Sequence, residues 1–346
     1  MNPFFDSIII LFLVASDILC INIWRDRKRQ GTWESRHSRL TLFVAVLLCC
    51  GATLVFWGSF IEPRIITVNR VSIDLPNFEP KKLVRVALIS DVHVGTYKQD
   101  GWIRRVSKRI ISEKPDIVLI AGDLIVDKPE HAKYLSPFSV LRSAFPVYAV
   151  LGDHDYQVKQ KPQFKIDEGL AGIVAKALTD AGVKVMRNET QHLELHGAPL
   201  LLIGLDDWLS KKTDMPAALN KLPNYLITEL PVVVLVHNPD FILDPEFTAK
   251  AGQAKNIDLI LAGNTHGGQI RLPFIGSLAR LPSDLPKSFD KGLFELHYTD
   301  HAPPTGQKTI LSTSKYPRLF ITSGISESGP RARLFNPPEI VLLELR

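Results

Sequence analysis

Two hydrophobic patterns divide the chain. Up to about residue 61 apolar residues run almost without interruption, and beyond it they come in short bursts separated by polar residues, glycine and proline. Residues 40–61 are 22 residues without a charge. A helix of that length crosses about 30 Å of hydrocarbon, and Trp57 near its end suits a membrane interface. Residues 4–23 are expected to form a second span, although Asp6 and Asp17 interrupt it. Between the two, residues 25–39 hold six Lys/Arg against two acids. Basic loops stay cytoplasmic, so this loop predicts that both outer ends, and everything after residue 62, lie on the far side of the membrane. The chain therefore reads as a membrane anchor, 1–62, followed by one folded unit, 63–346. In a bacterium that is a multi-pass protein of the inner membrane with its folded unit outside the cytoplasm.

Beyond residue 65 the period shortens. Val71-Ser72-Ile73-Asp74-Leu75 alternates like a half-buried strand. Apolar runs at 83–89, 117–121, 147–151, 200–205, 232–236 and 257–262 each end in a polar residue or glycine. Stretches 102–113, 131–144 and 170–181 have helical spacing. Strands alternating with helices predict an α/β fold, and continuous apolar runs predict strands buried on both faces. Proline-bearing polar stretches at 159–162 and 281–286 read as surface loops.

Composition narrows the class. Apolar residues at 45% and charged residues at 22% are globular values, and 24 prolines with 21 glycines in no period exclude collagen. Most of the net charge of +5 lies in the basic loop 25–39, so the folded unit is close to neutral. A nucleic-acid binder carries a basic face on its folded domain, so no nucleic-acid partner is expected. All three cysteines (Cys20, Cys49 and Cys50) precede residue 51. The folded unit thus has no disulfide framework, no cysteine-ligated zinc and no cysteine nucleophile. No pattern in the chain specifies an oligomeric state.

Five of the apolar runs end in residues able to bind a cation: Asp91-Val92-His93, Gly122-Asp123, Gly152-Asp153-His154-Asp155, His237-Asn238 and Gly263-Asn264-Thr265-His266-Gly267. A single strand-end aspartate is usually a helix cap or turn former. Five in series, each after a buried strand, converge where open α/β sheets hold their sites.

With these residues the sequence resembles the calcineurin-like metallophosphoesterases, in particular their membrane-attached bacterial branch typified by YkuE and YaeI. The shared order is Asp-x-His, Gly-Asp, Gly-Asn-His-Asp/Glu, a lone His and Gly-His-x-His. The resemblance spans about 82–346 and implies a four-layer αββα sandwich holding two divalent ions that hydrolyse phosphoesters. It implies Asp91, His93 and His266 on the first ion, Asp123 bridging, and His237 on the second. It also implies that His154 protonates the leaving oxygen or stabilises the transition state, oriented by Asp155. Arg331 and Arg333 either reach a substrate phosphate or pack the closing strand.

Two positions depart from the pattern. Asp153 stands where relatives have Asn, and Asn264 where they have the first His of Gly-His-x-His. The second ion would then meet Asp123, Asp153, His237 and Asn264, three oxygens and one nitrogen. Among manganese, zinc, iron and magnesium, that set favours a harder metal at the second site. The expected function is a membrane-anchored phosphoesterase acting on phosphodiester or pyrophosphate bonds. A lipid-linked phosphoester is one expected substrate, because the anchor holds the site near the bilayer. The competing reading, resting on the two departures, is a catalytically weakened binding or scaffold protein of the same descent.

Overall fold

The short apolar runs build two sheets. The computed structural model describes residues 3–159, 163–220, 222–244, 257–299, 302–308 and 317–346. Its strands are β1 (Thr67–Ile73), β2 (Val84–Ile89), β3 (Ile117–Ala121), β4 (Val147–Val150), β5 (Lys184–Val185), β6 (Glu189–Leu195), β7 (Ala198–Gly204) and β8 (Val232–Leu235). They continue with β9 (Leu259–Ala262), β10 (Arg271–Leu272), β11 (Gly276–Ser277), β12 (Gly292–Thr299), β13 (Ala302–Lys308), β14 (Arg318–Ile321) and β15 (Glu339–Leu345). One sheet has the order β1-β15-β2-β3-β4-β5 and the other β13-β12-β14-β9-β8-β7-β6, while β10 and β11 form a separate hairpin. Strands β2 to β5 are mutually parallel, as are β7, β8, β9 and β14.

Burial on both faces explains why these runs read as continuous. In β3, Ile117, Leu119 and Ala121 enter the core between the sheets, while Val118 and Ile120 meet the outer helices. In β9, Leu259 and Leu261 face the inner core, and Ile260 and Ala262 the opposite outer layer. Helices Asp100–Glu113 and Glu168–Asp180 cover the first sheet. Short helices, among them Met215–Leu219, and the turn Pro239–Leu243 cover the second. The result is the four-layer αββα sandwich.

Two local expectations change. Residues 131–144 form a 3-10 stretch, Pro129–Phe138, and a four-residue helix, Ser139–Arg142. Pro137 inside the stretch has no N–H to donate, which disfavours a regular α-helix there. The first strand, expected at 71–75, lies at Thr67–Ile73, where it pairs with β15 along its whole length. Residues 281–286 are a loop, and residues 160–162 of the other expected loop lie outside the described residues.

Among the described residues two helices are long and apolar enough to cross a membrane, Phe4–Asp26 and Ser38–Arg64. The second continues from Phe56 through a π-helical turn, Trp57–Ile61, into a 3-10 turn, Glu62–Arg64. There it becomes part of the folded unit, with Gly58, Ser59, Glu62 and Pro63 buried. The Arg333 N–H donates to the Gly58 carbonyl at 2.8 Å, and the Asn336 N–H to the Glu62 carboxylate. The first helix is tied down by an ion pair between Asp6 and Arg331 at 3.0 Å.

Candidate metal centre

The parallel registers of β2–β3–β4 and β8–β9 bring the carboxyl ends of five strands together. Just past them stand Asp91 and His93, Asp123, Asp153 and His154, His237, and Asn264 and His266. Asp91, His93, Asp123, Asn264 and His266 all adopt left-handed backbone, with φ of 51°, 41°, 56°, 67° and 51°. Such residues cost about 1–3 kcal/mol each and persist where the surroundings over-determine them. Here the Asp91 N–H donates to the Gly122 carbonyl at 3.1 Å, and the His93 N–H to the Asp123 carbonyl at 2.9 Å. Two glycines let the ligand loops close up. A Cβ on Gly152 would collide with the Asp123 carboxylate and the His237 ring, and one on Gly263 would lie 2.9 Å from Asp91 Oδ2.

Three overlapping groups of potential ligand atoms lie within 4.8 Å of one another: Asp91, His93 and His266; Asp91, Asp123 and His237; and His93, Asp123 and His154. Asp123 Oδ2 sits 3.4 Å from His93 Nε2 and 3.2 Å from His237 Nε2, between the two halves of the cluster. Asp153 Oδ1 is 3.5 Å from His237 Nε2, and Asp91 Oδ1 is 3.3 Å from His266 Nε2. The Asn264 amide donates to the Pro282 carbonyl at 2.8 Å, which leaves its Oδ1 as the atom available to a cation.

Backbone carbonyls orient the imidazoles. Nδ1 of His237 meets Ala121 O at 2.7 Å, Nδ1 of His266 meets Ser326 O at 3.1 Å, and Nδ1 of His154 meets Val126 O at 2.7 Å. A carbonyl only accepts, so each Nδ1 carries the proton and each Nε2 turns inward as a donor atom. Burial, reinforced by neighbouring His154, holds His93 well below the ordinary histidine range. Burial likewise lowers His266. For His237 the burial cost is outweighed by Asp123 and Asp153, and protonation is favoured. In His154, burial is outweighed by Asp123, Asp153, the Val126 carbonyl and Asp155, and the ring is pushed up to about 9.

The donor set fits divalent cations. The carboxylate atoms Asp91 Oδ1 and Asp153 Oδ1 are buried and make no well-aligned hydrogen bond among the described residues. Buried acceptors without a partner are costly, and a cation is the partner that would satisfy several at once. Cation binding would also release the protons that the apo cluster holds on His237. Beside the cluster lies a cavity of about 450 Å³, lined in part by Asp123, Asp153, His154, Asn264, His266 and Ser328.

Some expected roles do not match the geometry. Asp155 does not orient His154. Its carboxylate accepts from the N–H groups of Leu124, Ile125 and Gly152 at 2.9, 3.2 and 2.9 Å, so it braces the loop behind the site. Arg333 is fully buried and donates to the carbonyls of Ser323, Ser326 and Asn336, while Arg331 pairs with Asp6. Both therefore shape the closing loop. Asp207 was not foreseen. It is fully buried with Oδ1 unpartnered, and burial together with Asp153 pushes it up to about 8. Its signal was the strand-end rule itself, since Asp206 and Asp207 follow β7 just as the other acids follow theirs. Ser328, 3.4 Å from His154 Nε2, had no comparable signal.

Known proteins place this architecture. The chain is 27% identical to a Campylobacter jejuni metallophosphoesterase, Cj0846, over 81% of its own length and 63% of that protein's. It is 26% identical to the metallophosphoesterase YkuE of Bacillus subtilis over 84% of its length and 89% of YkuE. It is 26% identical to the UDP-2,3-diacylglucosamine pyrophosphatase LpxG of Chlamydia trachomatis over 88% of its length and 96% of LpxG. The profile of the calcineurin-like phosphoesterases matches residues 84–268, more than half the chain and all five ligand-bearing strand ends. The chain belongs to the calcineurin-like phosphoesterase family, whose members use divalent metals, and is a phosphate-ester hydrolase.

Proposed function

We propose that the protein is a membrane-anchored hydrolase of phosphodiester or pyrophosphate bonds, working with two divalent cations. The observation that carries this reading is the convergence of buried carboxylate and imidazole atoms on both sides of Asp123. In it, Asp91, His93 and His266 hold one cation, Asp153, His237 and Asn264 the other, and Asp123 lies between them. Such cations supply the charge that activates water for in-line attack and offsets negative charge building on the phosphoryl group. The protein's own groups do the rest. Asp123 accepts the His154 N–H at 3.0 Å and so sets the turn that carries the acid. His154, with Nδ1 fixed on Val126 O, keeps Nε2 on the cavity side, where it can protonate the leaving oxygen.

Membrane attachment is supported by the two apolar helices, and an extracytoplasmic site by the basic loop between them. LpxG is named for a lipid-linked pyrophosphate, which supports a substrate of that kind here. The scaffold reading rests on Asp153 and Asn264. Against it, both line the cavity and present oxygen atoms to it, as ligands of a harder metal such as manganese would.

The test is hydrolysis of bis-p-nitrophenyl phosphate by the full chain in detergent, after chelation and again after manganese, zinc, iron or magnesium is restored. The enzyme reading requires turnover that is lost on chelation and recovered best with the harder metals. No turnover with any metal leaves the scaffold reading. Protease accessibility in intact cells reports the side of the membrane.

A further inference from the structure

We propose that the β10–β11 hairpin is a finger that dips into the lipid bilayer and seats the mouth of the metal-centre cavity at the membrane surface. The inference rests on the reading that the two apolar helices span a membrane, and it names a surface which that reading does not use.

The hairpin tip is apolar and unpacked. Phe274 is fully exposed, Ile275 is 68% exposed and Leu278 52%. Beside them Phe335 is 50% exposed, on the segment whose Leu334 carbonyl accepts the Arg271 N–H at 2.9 Å. Soluble surfaces scatter large apolar side chains singly, whereas here four share one hairpin and its neighbouring turn. The backbone adds an independent argument. Phe274 and Phe335 both hold positive φ, 67° and 53°, in turns that glycine or asparagine would occupy at less cost. A bulky aromatic retained at two such turns points to a use for the side chain.

The patch is continuous with the foot of the second apolar helix. Leu334 packs on Gly58, where an added Cβ would lie 3.5 Å from the Leu334 Cβ, and the Arg333 N–H donates to the Gly58 carbonyl. Phe56 and Trp57, at the end of that helix, are themselves exposed. The finger therefore starts beside the point where the chain leaves the hydrocarbon. Its backbone polar groups cannot enter the hydrocarbon core, so the side chains dip while the backbone stays among the headgroups. Exposed Arg280 on the returning arm suits the level of lipid phosphates.

The same returning arm is a wall of the active cavity. Ala279, Arg280, Leu281 and Pro282 line it opposite Asp123 and His154. A phosphoester whose apolar tail stays in the leaflet would reach the cluster along one face of the hairpin. The substrate class this implies is an amphiphile met at the interface, not a solute drawn from the aqueous phase.

The test uses the full chain in proteoliposomes, with Cys20, Cys49 and Cys50 replaced by serine and one cysteine returned at a time for an environment-sensitive nitrobenzoxadiazole label. Phe274→Cys and Ile275→Cys should emit to the blue and lose most of their emission when the lipids carry a nitroxide on the acyl chain. Ile173→Cys, on the exposed side of helix Glu168–Asp180, should keep its emission. Native Cys49, inside the second apolar helix, reports on insertion separately. Quenching at Cys49 but not at 274 and 275 overturns the finger alone. Quenching at none of them overturns both the finger and the membrane reading. A blue shift at 274 and 275 that lipid nitroxides leave untouched means a protein covers the patch, and that also overturns it.

Discussion

The two halves of the proposed metal centre differ in exposure and in chemistry. Asp91, His93 and His266 are buried, and His266 is locked onto the Ser326 carbonyl. Gly263 and Gly324 press so close that no side chain fits between them and Asp91. Across Asp123, His237 is as buried, but the Asp153 side chain is 20% exposed and Asn264 offers an amide oxygen. One half is nitrogen-rich, and the other is oxygen-rich, with the Asp153 side chain its most exposed group. The difference teaches that the two cations would meet unlike donors, so a harder one is favoured where Asp153 and Asn264 stand.

Asp123 belongs to both halves, so its loss is the severest way to break the comparison. Asp123→Ala should lower kcat/KM by about 10³-fold or more, ~4 kcal/mol of transition-state stabilisation, in an assay at saturating manganese. Next is His154, the proposed acid beside both halves. His154→Ala should cost about 10²-fold on a phosphodiester with an alkyl leaving group. It should cost far less with p-nitrophenolate, which leaves without a proton, so a plot of rate against leaving-group pKa should steepen. Equal losses on both substrates would remove His154 from the acid's role.

Asp155 separates structural support from chemistry. Asp155→Asn keeps the shape but cannot accept all three N–H groups. Thermal unfolding should show a loss of about 1–3 kcal/mol, while the dependence on leaving group stays that of the parent. The smallest effect sharpens the comparison directly. Asp153→Asn combined with Asn264→His makes the open half resemble the family pattern. Zinc should then bind the weaker site about tenfold more tightly, ~1.4 kcal/mol, by competition with a chelator.

How far the chain could be read in advance follows from burial. β3 and β9 were legible because both faces are buried and the runs are continuously apolar. β6 was not, since it is an edge strand with one fully buried residue and a mostly polar sequence. β14 opens on Arg318, whose charge breaks the apolar run that marks the other buried strands. The ligands were legible because each follows such a run, and the rule reached as far as Asp207 had it been applied to β7. The partner of His154 was not legible. A backbone carbonyl such as that of Val126 leaves no trace in residue identity, so the adjacent Asp155 stood in for it. The docking of Gly58 and Glu62 on the closing loop was hidden for a similar reason, because backbone groups carry much of it.

The account stands on two unequal cation sites sharing Asp123. Its most direct test is titration of the metal-free chain with manganese and, separately, zinc, following heat and bound metal per chain. The account predicts two sites of different affinity, the tighter lost in His266→Ala and the weaker lost in His237→Ala. Binding of no divalent ion, or two equivalent tight zinc sites, would contradict it.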